Sequence, residues 1–206
     1  LMMADRGGLY LDSKPGLYTD VVELDFASLF PSIIATRNIS PETLNCACCQ
    51  PSFDELSPSH YLPLDISSAS DEFRRRHLEE RLGTGLFPMT NSWALPVPGL
   101  SSHTCGRIHG FLGRVVAPII ERRRQLKQQI IVKGDEIDKQ QNALKWLLVT
   151  CFGYTGYKNA RFGRIEAHEA ICAWAREILL QTIAIAEEEG WTCLLYTSPS
   201  PRDWTI

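Results

Sequence analysis

VVELDFASLFPSIIATRN, residues 21–38, is one of the most apolar windows in the 206-residue chain, yet Asp25 sits inside it. The run from Val21 reads as a strand ending at Asp25, and a helix is expected from Ser28 or Pro31, since proline is tolerated in a first helical turn. A carboxylate with apolar neighbours is expensive to desolvate unless it is paired, hydrogen-bonded or bound to a metal. Two roles therefore stay open for Asp25. It could cap the helix by accepting from the N–H groups of Ala27 or Ser28, or it could offer hard oxygens to a divalent cation.

Upstream, GGLYLDSKPGLY (7–18) reads as a second strand closing on a turn, so the first 34 residues suggest two strands and a helix. Downstream, residues 41–105 are rich in Pro, Ser and Cys and read as irregular, with one charged helix expected at DEFRRRHLEERL (71–82). From 107 to 133 the pattern turns helical, with Leu112, Val116, Ile119, Ile120, Leu126 and Ile130 as its buried stripe. KGDE (133–136) turns the chain, and a second helix runs through IDKQQNALKWLLVT to Gly153 and Gly156. Residues 107–156 thus form an expected antiparallel helical hairpin. A last helix is expected over 165–189, with Ile171, Trp174, Ile178, Leu179 and Ala186 at helical spacing and Gly190 as its stop. The fold class is α+β.

Composition narrows the functional classes. Hydrophobic residues make up 44% and charged residues 22%, ordinary for a globular chain. A formal net charge of −3 gives no bulk basic signal, so any nucleic-acid site must be a local patch. Seven cysteines without a signal peptide point to a reduced, cytoplasmic setting, and no apolar run is long enough for a membrane span. Cys46, Cys48 and Cys49, with distant Cys105, could ligate zinc or an iron–sulfur centre. C-x-C-C lacks the usual C-x-x-C spacing, and buried thiols are the competing reading.

Asp25 with Ser28-Leu29-Phe30-Pro31-Ser32-Ile33-Ile34 resembles the first polymerase motif of family B DNA polymerases, D-x-x-S-L-Y-P-S-I-I, with Phe30 in place of tyrosine. Gly7-Gly8 is similar to the glycine pair that closes Y-x-G-G beside the template strand, with Asp5 where the tyrosine would stand. ERRRQLK places Arg123 and Lys127 one helical turn apart and resembles the fingers motif R-x-x-x-K. Lys145 to Gly153 resembles K-x-x-x-N-S-x-Y-G in spacing, with Val149, Thr150 and Phe152 replacing the Asn, Ser and Tyr. Taken alone, a basic turn is usually a solvated face and a Gly-ended amphipathic helix is ordinary.

The resemblance implies a DNA-templated DNA polymerase that adds dNTPs to a primer 3′-end by two-metal phosphoryl transfer. Asp25 and the backbone carbonyl of Phe26 would hold Mg²⁺. Ser28, Leu29, Phe30, Arg123, Lys127, Lys145 and Phe152 would meet the incoming nucleotide, with Phe30 beneath the sugar excluding a 2′-hydroxyl. Gly7, Gly8 and Gly153 would meet DNA. It further implies primer–template DNA as partner, a sliding clamp for the full-length parent, and a nucleoid-associated location without a membrane. The run F-G-Y-x-G-Y-x-N-A-R-F-G (152–163) looks closest to archaeal-type members. The competing function is a polymerase-fold module that binds DNA as a scaffold without catalysis.

On this reading residues 1–40 are the first part of the palm, 41–106 an insert, 107–156 the fingers and 157–192 a palm helix. CLLYTSPSPRD (193–203) resembles the translation of a transposase-type sequencing adapter, so 193–206 are expected to be an artefact. The family's third motif, a Tyr-Gly-Asp-Thr-Asp hairpin carrying the second metal ligand, would then be missing. The chain as given is expected to be inactive.

Overall fold

A computed structural model describes residues 10–11, 15–49, 94–193 and 196–197. Gly7, Gly8 and the helix expected over 71–82 lie outside them. In chain order the elements are β1 (Tyr10–Leu11), α1 (Leu29–Thr36), β2 (Ala94–Pro96), β3 (His103–Cys105), α2 (Phe111–Lys133), α3 (Asp135–Thr155), α4 (Ile165–Glu188) and β4 (Tyr196–Thr197). Helices dominate, with two short antiparallel ribbons, β1 with β4 and β2 with β3. Tyr10 pairs with Thr197 and Leu11 with Tyr196.

The expected strand over Val21–Phe26 is not formed. No described strand pairs with it, and Val21 and Val22 are each 63% exposed and Leu24 76%. A β-branched run becomes a strand only where a neighbour takes up its N–H and C=O groups. The helix after it forms as expected. Pro31 falls in its first turn, where no i−4 carbonyl awaits its missing N–H. Asn38, in the left-handed conformation at φ +53°, turns the chain out of it.

The segment expected to be irregular also contains order. Ala94–Pro96 and His103–Cys105 form a hairpin, and Leu44 bridges Thr104 on its outer edge. Three-residue strands broken by Pro96 and Pro98 carry no alternation to read, and backbone pairing alone defines them.

Gly134 alone separates α2 from α3, and the two helices pack along each other as the expected hairpin. Val116 and Leu126 of α2 are buried, while Leu112, Ile119 and Ile120 pack half-buried against the core. Ile33 and Ile34 of α1, Leu148 and Phe152 of α3, and Ile171 and Trp174 of α4 complete one continuous core. In α4 the buried stripe includes Leu179, with Ile178 at its margin, and Gly190 follows the helix at φ +85°. Burial of this size, at roughly 25 cal/mol per Å² of apolar area, is what holds four helices of modest propensity together.

Candidate active site

Asp25 is exposed and has no hydrogen-bond or ion-pair partner among the described residues. This corrects both the strand-end placement and the desolvation argument: the residue is exposed rather than buried among apolar neighbours, and it does not cap α1. Phe26 is 39% exposed, in the same irregular stretch.

Three residues on, the expected motifs begin to converge. Ser28 is the N-cap of α1, in the left-handed conformation at φ 57°, and its hydroxyl makes no cap bond. Instead it accepts a hydrogen bond from Arg123 Nη1 at 2.8 Å. Arg123 is only 8% exposed, and its Nε has no partner among the described residues. A buried guanidinium with an unused donor is costly unless an anion or acceptor reaches it. Lys127, one turn further along α2, is exposed, so the two cations expected together differ in setting. Lys145 and Gly153 are exposed on α3, and a Cβ on Gly153 would meet nothing within 4 Å.

Phe30 of α1 stacks on Phe152 of α3, with ring centroids 4.3 Å apart and planes 22° apart. The other face of Phe152 stacks on His168 of α4 at 4.4 Å and 19°. Phe152 is buried and Phe30 half-buried, so the stack runs from core to margin. His168 Nδ1 lies 3.3 Å from the hydroxyl of Thr155. Gly156 is required here, since a Cβ would come within 2.9 Å of that ring nitrogen.

The residues that hold these parts in place were not singled out in the sequence. They lie in NISPETL (38–44). Asn38 Nδ2 donates to the carbonyls of Cys105 and Ile108, and its Oδ1 accepts from the N–H of Gly110 at 2.7 Å. Glu42 accepts from the Phe111 N–H at 2.6 Å and from the Ser40 hydroxyl at 2.5 Å, so it caps α2 with a negative charge. Partial desolvation works against that charge, but the bonds from Ser40 and Phe111, with Arg114 nearby, hold the Glu42 carboxyl below its ordinary range. Arg164, which precedes α4, donates to the carbonyls of Pro41 and Leu44. One loop thus ties the starts of α2 and α4 to the end of α1. A Ser-Pro-Glu-Thr run before a helix was the available signal, but the helix it caps starts 69 residues later.

A family model described as DNA polymerase family B matches residues 3–203. The chain is 35% identical over 190 residues to DNA polymerase 2 of Saccharolobus solfataricus, covering 92% of this chain and 22% of that protein. It is 28% identical to a DNA polymerase of Thermococcus gorgonarius, covering 92% and 20%. Among solved structures, the family B DNA polymerase of Pyrobaculum calidifontis matches with a TM-score of 0.60 at 25% identity, over 93% of this chain and 21% of that one. The chain belongs to DNA polymerase family B, and it spans about a fifth of the length of these relatives. No helix among the described residues is long and apolar enough to cross a membrane.

Proposed function

We propose that this chain is the palm and fingers portion of a DNA-directed DNA polymerase, which extends a primer 3′-end with dNTPs on a DNA template. The observation that carries the reading is the junction of α1 with the α2–α3 hairpin: Ser28 on Arg123 and Phe30 on Phe152 bring three separate motif resemblances to one place. Ser28, Leu29, Phe30, Arg123, Lys127, Lys145 and Phe152 would line the nucleotide side, and Gly153 the DNA side. The half-buried ring of Phe30 would lie under the sugar, and the unused Nε of Arg123 would take a phosphate oxygen.

Mg²⁺ fits the donor chemistry. Asp25 offers an exposed carboxylate without a partner among the described residues and Phe26 a carbonyl, both hard oxygens. When bound, such ions polarise the transferring phosphoryl group and stabilise the attacking and leaving oxygens. One carboxylate and one carbonyl are too few oxygens for two octahedral ions, so the 206-residue chain alone is expected not to extend a primer. Primer–template DNA, nucleotides, a sliding clamp and a nucleoid-associated location belong to the proposed parent enzyme.

The test is Asp25→Asn in the full-length polymerase. Primer extension should be lost while primer–template affinity stays. Extension at the wild-type rate would remove Asp25 from the metal site. No primer extension by the wild-type full-length protein, with primer–template binding retained, would favour the scaffold alternative.

A further inference from the structure

Four cysteines that the chain separates by up to 59 positions meet at one corner of the fold. Backbone pairing brings them there. The N–H of Asn45 bonds the His103 carbonyl at 2.9 Å, and the N–H of Cys105 bonds the Thr43 carbonyl at 2.9 Å. This lays the turn 46–49 over the end of β3. Cys49 and Cys105 are buried, Cys46 is half-buried and Cys48 is exposed. All four sulfurs lie within 4.8 Å of one another. Cys48 is 3.5 Å from Cys46, 3.8 Å from Cys49 and 3.6 Å from Cys105, and Cys49 is 3.6 Å from Cys105.

Those spacings discriminate between explanations. Disulfides require sulfurs at about 2.0 Å, and adjacent or next-but-one cysteines bridge only with strain. Neutral thiols are weak donors and weak acceptors, so mutual contacts give little reason for four to gather. A tetrahedral ion with sulfurs at about 2.3 Å spaces them about 3.8 Å apart. Four of the six pairs here lie at 3.5–3.8 Å. A four-iron cluster binds each cysteine to a different iron and spreads the sulfurs wider than one ion does. The surroundings suit thiolates as well. The N–H of Arg107 points at Cys105 Sγ at 3.4 Å, and His103 Nε2 lies 3.7 Å from Cys46 Sγ. An N–H donor such as that of Arg107 orients a thiolate ligand and offsets its charge.

We propose that Cys46, Cys48, Cys49 and Cys105 bind one zinc ion as a closed, structural tetrathiolate site. Its role is a staple. Asn38 and Glu42, just upstream of the turn, hold the start of α2, and Cys105 closes the strand that leads into it. The ion would join the two ends of the 50–104 segment and remove loop entropy that backbone bonds alone must oppose. As zinc enters, the four thiols give up their protons to solvent.

The test uses the full 206-residue chain, purified reduced from zinc-supplemented medium and checked for folding by circular dichroism. Elemental analysis should find one zinc per chain, released as a mercurial reagent titrates the thiols. Cobalt exchange should give the intense visible bands and thiolate charge transfer of a tetrahedral tetrathiolate. Cys48→Ser should lose the ion and lower the melting temperature, whereas Cys151→Ser, outside the cluster, should keep it. Cys105→Ser can unfold the buried corner, so Cys48→His at the exposed position is the deciding variant: it should retain one metal, with the cobalt bands moved to a three-sulfur, one-nitrogen pattern. Folded wild-type protein without zinc, the weak spectrum of octahedral cobalt, or iron with acid-labile sulfide would each overturn the proposal.

Discussion

The ring of Phe30 lies face to face with that of Phe152, 4.3 Å centroid to centroid, joining the helix after Asp25 to the second helix of the hairpin. The pair is 122 positions apart in sequence, and both replace a tyrosine in the motifs they resemble. Two aromatic rings without hydroxyls can stack closely with no buried donor to satisfy. The double replacement is therefore consistent with the packing.

Phe30→Ala in the full-length polymerase should raise ribonucleotide incorporation relative to deoxynucleotide, because it opens space where the sugar is proposed to lie. Competitive incorporation of rNTP and dNTP measures it. A double-mutant cycle with Phe152→Ala should give a coupling of about 0.5–1.5 kcal/mol from the stack. An unchanged sugar preference would leave Phe30 as a packing residue alone.

Arg123 and Lys127 should separate in behaviour. Arg123→Ala removes a buried side chain bonded to Ser28 and should lower stability by about 1–3 kcal/mol while raising KM for nucleotide. Lys127→Ala, at an exposed position, should raise KM with stability within about 0.5 kcal/mol of wild type. Thermal melts beside steady-state kinetics distinguish the two. Lost duplex binding with unchanged nucleotide KM would make both cations part of a DNA-backbone patch.

Acid should loosen the start of α2. The Glu42 carboxyl titrates below its unfolded value in the folded chain, so its contribution is present in full above the unfolded pKa, about 4.3. It is lost as pH falls through the lower folded value. Glu42→Gln should flatten that part of the stability–pH curve. Urea melts of both proteins between neutral pH and pH 3 read the difference. Parallel curves would show that the Phe111 N–H bond does not depend on charge.

Two glycines should respond oppositely to alanine. At Gly110 a Cβ would stand 2.5 Å from the Ser40 Cβ, so Gly110→Ala should cost about 1–3 kcal/mol. At Gly153, in the last turns of α3, a Cβ meets nothing, and alanine should stabilise by up to about 1 kcal/mol. If DNA approaches that open backbone, Gly153→Ala in the full-length enzyme should nevertheless weaken primer–template binding. Denaturant melts and DNA titrations give the two readouts.

Periodicity alone was enough for the helices. Leu112 to Leu126 and Ile171 to Leu179 repeat at helical spacing, and Gly134, Gly156 and Gly190 stand at or beside the ends. These are local properties, because a helix satisfies its backbone within itself and needs only one apolar face to place it. The family was legible for a similar reason: the run resembling the first polymerase motif, Asp25 to Ile34, is contiguous. What a contiguous run does not carry is pairing. Val21–Phe26 has the composition of a strand but no described neighbour, while Ala94–Pro96 lacks that composition and is a strand because His103–Cys105 lies beside it. The site divides the same way. Asp25, Arg123 and Lys145 could be named from the motif resemblances, but the bond from Arg123 to Ser28, the stack of His168 on Phe152, the cap that Glu42 places on α2 and the meeting of Cys49 with Cys105 join residues 16 to 95 positions apart. Sequence determined which segments are helical and what chemistry they carry. Tertiary structure alone decided which of those residues touch, because contact between distant segments depends on how the buried faces pack and on which backbone groups find partners, and neither is a property of any one segment.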